Sequence, residues 1–209
     1  MKQYNLPNNK GYTLAEMLVV VALVSLVGIV ISKFQKDVFS FNRYFTNSLS
    51  VGDSAQKLLR PMTAEIRSTS QSSSGAYPID SIGDYYFSFY SDIDSDGLKE
   101  WVKYSISGTT LNKEVIKPTG NPLIYNTANK VTTVFMTGVR NQTESIPMFT
   151  YYDETYTGST GGVINPSTGS LSNVRLVGVK IRIDPDTNQS PTVTEISTQV
   201  AIRNLKIQQ

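Results

Sequence analysis

The sequence predicts an α+β protein, with one long N-terminal helix followed by an antiparallel, β-rich domain. Three observations carry that expectation. An apolar run from Met17 to Ile31 is interrupted only by Ser25 and Gly28. It passes into apolar residues spaced three and four apart, the period of one helix face. From Asp84 onward the pattern changes to alternation among β-branched and aromatic residues.

The first eleven residues, MKQYNLPNNKG, are polar, carry Lys2 and Lys10, and contain Pro7 and an Asn pair that resist helix. Counted from Leu14, the apolar stretch is 18 residues, about 27 Å of helix. That is enough to cross a hydrocarbon core, and the positive segment before it places the N-terminus in the cytoplasm. An ordinary secretory signal would be cut after the run at small residues such as A-x-A, but Ser32-Lys33-Phe34 follows instead. A plain signal anchor has no reason to carry Glu16, since a carboxylate there costs about 2.5–3.5 kcal/mol on insertion. A leader cut before the apolar segment accounts for Gly11, Tyr12 and Glu16 together.

Beyond Lys33 the apolar stripe runs through Phe34, Val38, Phe41, Phe45 and Leu49, then Ala55, Leu58, Leu59, Met62 and Ile66. The helix expected over 12–68 thus has an apolar half, 12–33, and an amphipathic half, 34–68, on the order of 80 Å in all. Gly28, Gly52 and Pro61 are candidate bends. A kink or break is expected at Pro61, which removes the amide that would bond to Lys57. Ser68 to Gly75 reads as a loop. The β-rich domain, 69–209, is expected to hold strands at Tyr85–Tyr90, Trp101–Ile106, Thr110–Val115, Val131–Val139, Met148–Tyr152, Val174–Ile183 and Thr192–Ile202. The last two pair as a hairpin through Asp184-Pro185-Asp186-Thr187-Asn188. Thr155 to Ser172, rich in Gly, Ser and Thr, is expected to be a surface loop.

Composition narrows the chemistry. There is no Cys and no His, which removes the usual zinc sites and the Ser-His-Asp and Cys-His nucleophile systems. The chain is expected not to be an enzyme. Once Lys2 and Lys10 are set aside, the remainder carries no formal net charge, so no nucleic-acid partner is predicted.

Lys10-Gly11-Tyr12-Thr13-Leu14-Ala15-Glu16-Met17-Leu18-Val19-Val20 resembles the prepilin motif of type IV pilins and type II secretion pseudopilins. The resemblance implies a pilin-like fold and removal of a leader, residues 1–11, after Gly11. It further implies methylation of the new amine on Tyr12, where the family more often has Phe or Met. Prepilin peptidase/methyltransferase, other pilin subunits and an inner-membrane assembly platform are the partners it implies. Glu16 falls at the position thought to pair with the N-terminal amine of a neighbouring subunit, which offsets the desolvation of both charges. Asp92-Ile93-Asp94-Ser95-Asp96-Gly97, Glu100-Trp101-Val102-Lys103-Tyr104 and the closing Val200-Ala201-Ile202-Arg203-Asn204 resemble features of minor pilins and J-type minor pseudopilins. The function expected is that of a structural subunit, a minor pilin. The alternatives are a type II secretion pseudopilin and an unprocessed, membrane-anchored binding protein. The expected location is the cytoplasmic membrane, with the C-terminal domain outside, and then a surface or periplasmic filament.

Asp92, Asp94, Asp96 and Gly97 also reproduce the opening of an EF-hand loop, in which alternate carboxylates converge on Ca²⁺. The twelfth position is Lys103 rather than Glu, so Glu100 would supply the missing carboxylate and the Leu98 carbonyl a further ligand. The same residues suit an exposed Asp/Gly turn without an ion.

Overall fold

The computed structural model describes residues 11–159, 161–184 and 193–205, and for 43–58 the backbone alone. The leader before Gly11, the turn at 185–188 and Thr192 therefore lie outside the described residues, as do the side chains of Phe45, Leu49, Ala55 and Leu58. The chain divides between Asn47 and Ser48 into two units. Helix α1, Leu14–Arg67, contributes to both.

In the first unit every side chain from residue 11 to 42 is exposed. The helix there is nevertheless self-sufficient in hydrogen bonds. Ser25 within the apolar stretch and Ser32 just past it donate their hydroxyls to the Val21 and Gly28 carbonyls, both at 2.8 Å. Such back-bonding leaves no hydroxyl to be solvated and suits a helix in lipid.

Among the described residues, the second unit holds nine strands in two antiparallel sheets. Strands β1 (Ile79–Gly83), β2 (Tyr86–Ser91), β3 (Glu100–Ser107), β4 (Thr110–Ile116) and β5 (Val131–Thr137) form a meander in sequence order. Strands β6 (Phe149–Tyr152), β7 (Val163–Ile164), β8 (Leu176–Ile183) and β9 (Thr194–Ala201) form the second sheet, ordered β7-β6-β8-β9. The expected hairpin of the last two strands is present, with Ile183 opposite Thr194 and Leu176 opposite Ala201. Alternation on β8 buries Val177, Val179, Ile181 and Ile183. The two sheets share one core with Leu59, Met62 and Ile66 of α1. At its centre the Phe87 ring lies 5.0 Å from Phe89, 5.6 Å from Tyr151 and 5.9 Å from Phe149. This is the pilin-like α+β arrangement the sequence led us to expect.

Polar contacts seat the last turns of α1 on the meander. Glu65 accepts from Lys113 Nζ of β4 at 2.6 Å and from the Tyr104 hydroxyl of β3 at 2.7 Å. Burial, reinforced by Glu65, holds the Tyr104 phenol far above its ordinary pKa, so it stays a donor. Past the helix end, Asn204 Nδ2 donates to the Thr69 carbonyl at 2.9 Å, which gives the closing Asn204 a structural task.

Four expectations need correction. The helix continues through Pro61 without the break considered there. Pro61 removes one amide, but Leu59, Met62 and Ile66 around it are buried, and that packing outweighs a single lost bond. Strand β1 precedes the first strand expected. It is a five-residue segment without apolar alternation between Pro78 and the two-residue turn at Asp84-Tyr85, and its partner β2 makes it a strand. Strand β7 falls inside the expected surface loop, paired to Tyr151 and Tyr152. Finally, β5 ends at Thr137, and Val139 makes an isolated bridge to Ile183 instead.

Candidate assembly segment and carboxylate loop

The first turn of α1 is closed by a reciprocal cap. The Thr13 N–H and hydroxyl both donate to Glu16 Oε2, at 2.9 and 3.1 Å, while the Glu16 N–H donates to Thr13 Oγ1 at 3.2 Å. This is a capping box, in which the first residues of a helix satisfy one another's free amides. It was legible as T-x-x-E before an apolar run and was missed. Both Thr13 bonds fall on Oε2, so Oε1 takes no part in the cap. Gly11 and Tyr12 lie just ahead of the helix, exposed, with Tyr12 at 84%.

Past Glu16, the helix from Leu14 to Asn42 is long and apolar enough to cross a membrane, and none of it is buried. Covering an apolar side chain is worth about 1.5–3 kcal/mol, so this surface represents tens of kcal/mol of burial still to be made. Among the described residues the strip fits a single-pass membrane anchor.

The second group lies in the loop between β2 and β3. Asp92, Asp94 and Glu100 each bring a carboxylate oxygen to within 4.8 Å of the others. Asp96 turns elsewhere: its Oδ1 accepts from the Leu98 N–H at 2.8 Å and its Oδ2 pairs with Lys117 Nζ at 2.5 Å. Leu98 thus enters the loop through its N–H. Gly97 N–H donates to Asp92 Oδ2 at 3.1 Å and Asp96 N–H to Asp94 Oδ1 at 3.3 Å. Gly97, at φ 90°, sits where only glycine rests without strain.

Glu100 begins β3 and is 1% exposed. Its Oε2 accepts from the Ile93 N–H at 3.0 Å, but Oε1 is buried without a hydrogen-bond partner, as is Asp92 Oδ1. A buried oxygen left so costs about 1–3 kcal/mol, and more when charged. Burial, with the charges of Asp94 and Asp96 nearby, holds the Glu100 carboxyl above its ordinary range despite the Ile93 bond. Lys117 and the Leu98 N–H hold Asp96 below its own.

Two cations reach the loop, and sequence reasoning found neither. Lys99 Nζ lies 3.2 Å from Asp92 Oδ2, and Lys117 Nζ 2.7 Å from Asp94 Oδ2. Lys117 arrives through sheet pairing, because Trp101 opposes Ile116 and the residue that follows β4 is thereby brought to the start of β3. No local spacing could have announced it.

The sequence profile described as the prokaryotic N-terminal methylation motif matches residues 6–32. No curated protein gives a significant match to the chain. The matched stretch takes in Gly11, Tyr12, the Thr13–Glu16 cap and the apolar turns that follow. The chain thus carries, over residues 6–32, the N-terminal methylation motif of a prepilin-type leader, consistent with the type IV pilin and pseudopilin superfamily.

Proposed function

We propose that the chain is a minor pilin, a structural subunit of a type IV pilus-like filament that assembles through α1. Prepilin peptidase removes the leader after Gly11, and the freed amine of Tyr12 is methylated. The β-rich domain faces outward from the cytoplasmic membrane while the apolar helix waits in lipid. On assembly at the inner-membrane platform, Glu16 pairs with the Tyr12 amine of a neighbouring subunit and the helices bundle in the filament core.

One observation carries this proposal. An apolar helix with no buried residue from Leu14 to Asn42 begins, inside the methylation motif, with a carboxylate that keeps one oxygen out of its own cap. The cap also explains how Glu16 is tolerated before assembly, since two donors hold its charge. Mass spectrometry of the N-terminus from the native membrane or surface fraction tests the first step. A chain starting at Tyr12 with an added methyl is expected, and one still starting at Met1 overturns it. Glu16→Ala is expected to be lost from filament pull-downs while its β-domain stays folded; normal incorporation counts against the pairing. The methylation motif is common to pilins and type II secretion pseudopilins. Immunogold imaging separates them, because a pilin labels filaments on the cell surface.

A further inference from the structure

We infer that Asp92, Asp94 and Glu100 form a divalent-cation site, matched to Ca²⁺, where the β2–β3 loop closes onto the sheet. An exposed Asp/Gly turn explains part of this loop and no more. The turn's own amides account for Asp94 Oδ1, Asp96 Oδ1 and Asp92 Oδ2. They do not account for Glu100, a carboxylate 1% exposed that brings one oxygen to within 4.8 Å of Asp92 and Asp94 and whose Oε1 is buried with no hydrogen-bond partner. Asp92 Oδ1 is orphaned in the same way. Two buried anionic oxygens without donors, in a group of three carboxylates, call for a cation.

Charge and size both select the ion. The four carboxylates of Asp92, Asp94, Asp96 and Glu100 face the two ammonium groups of Lys99 and Lys117, which leaves two negative charges. All the ligand atoms are oxygens, the preference of a hard ion. Oxygens bound to one Ca²⁺ at 2.3–2.6 Å lie up to about 5 Å apart, whereas Mg²⁺ spans only about 4 Å. The three carboxylate oxygens lie within 4.8 Å of one another, inside the Ca²⁺ span.

Lys117 is the internal competitor. It holds Asp94 Oδ2 at 2.7 Å, so binding Ca²⁺ through Asp94 weakens that pair, and the freed lysine keeps Asp96. Ca²⁺ then staples the end of β2 to the start of β3.

The test uses the full chain in detergent micelles, stripped with chelator, with Tb³⁺ as the probe and Ca²⁺ as its competitor. Excitation at the indole band selects Trp101, the single tryptophan, next to Glu100 in sequence. Saturable sensitised emission, displaced by Ca²⁺ at lower concentration than by Mg²⁺, is expected. Glu100→Gln, which keeps an acceptor for Ile93, and Asp94→Asn are each expected to weaken Ca²⁺ about tenfold or more. Lys117→Gln is expected to tighten it roughly several-fold, a gain that misfolding cannot mimic. A folded wild-type chain without saturable emission, or Ca²⁺ affinity unchanged in Glu100→Gln and Asp94→Asn, overturns the inference, and so does weaker binding in Lys117→Gln.

Discussion

Replacing Glu65 tests what holds the end of α1 on the meander. Its carboxylate accepts from Lys113 at 2.6 Å and from Tyr104 at 2.7 Å, with the Glu65 and Lys113 side chains 14% and 16% exposed. Glu65→Ala removes a hydrogen bond to a charged acceptor, worth about 1.5–3 kcal/mol. It also leaves Lys113 without its counter-ion; breaking a fully buried pair costs about 3–5 kcal/mol, and the residual exposure moves this one to the low end or below. The two losses overlap, so about 3 kcal/mol is expected for Glu65→Ala and about 1.5 kcal/mol for Lys113→Ala, which leaves the Tyr104 bond intact. The double variant should be less destabilised than the sum, with a coupling near 1.5 kcal/mol. Urea unfolding of the full chain in micelles, followed by Trp101 fluorescence, reports the domain that carries the single tryptophan. A coupling below about 0.5 kcal/mol, with both single variants mild, would mean that the pair behaves as a surface ion pair and that apolar burial alone seats the helix.

Three further outcomes are expected. Tyr151→Phe loses a buried hydroxyl that donates to the Gly83 or Tyr86 carbonyl at 2.9 Å and accepts from the Gly83 N–H at 3.3 Å; about 2 kcal/mol should be lost in the same unfolding assay, with unchanged slope. Ile66→Ala opens a void beneath a side chain that is 0% exposed and should cost about 2–5 kcal/mol, against less than about 0.5 kcal/mol for the exposed Arg60→Ala. Thr13→Ala removes the Oγ1 half of the capping box, worth about 1 kcal/mol, and should raise amide exchange over the first turn of α1 in micelles while leaving residues from Ser25 onward protected.

The sequence disclosed most where a pattern was local. Burial of Val177, Val179, Ile181 and Ile183 followed from alternation, and the hairpin from the turn chemistry between β8 and β9. The apolar run announced the exposed first half of α1, and aspartate spacing announced the loop that gathers Asp92, Asp94 and Glu100. Long-range matters were illegible. Ile79–Gly83 has little strand character of its own and becomes β1 by pairing with β2, with a register shift between Ile79 and Ser81. Pro61 was weighed for the bond it removes, while the buried side chains around it decide the outcome. Lys113 and Lys117 reach Glu65, Asp94 and Asp96 only because β4 lies beside β3.

The cap at the start of α1 bears on how costly it is to join a filament. A free glutamate at a helix start loses about 1.5–2 kcal/mol of rotamer freedom when a partner fixes it. Glu16 has already been fixed by Thr13, whose N–H belongs to the peptide bond that cleavage after Gly11 leaves intact. In the assembly proposed above, an arriving amine therefore meets a carboxylate held in place, with Oε1 turned to visitors and Oε2 kept at home. Docking would then proceed by capture on a rigid target, and the specificity of a subunit for its neighbour would be set before the two helices touch.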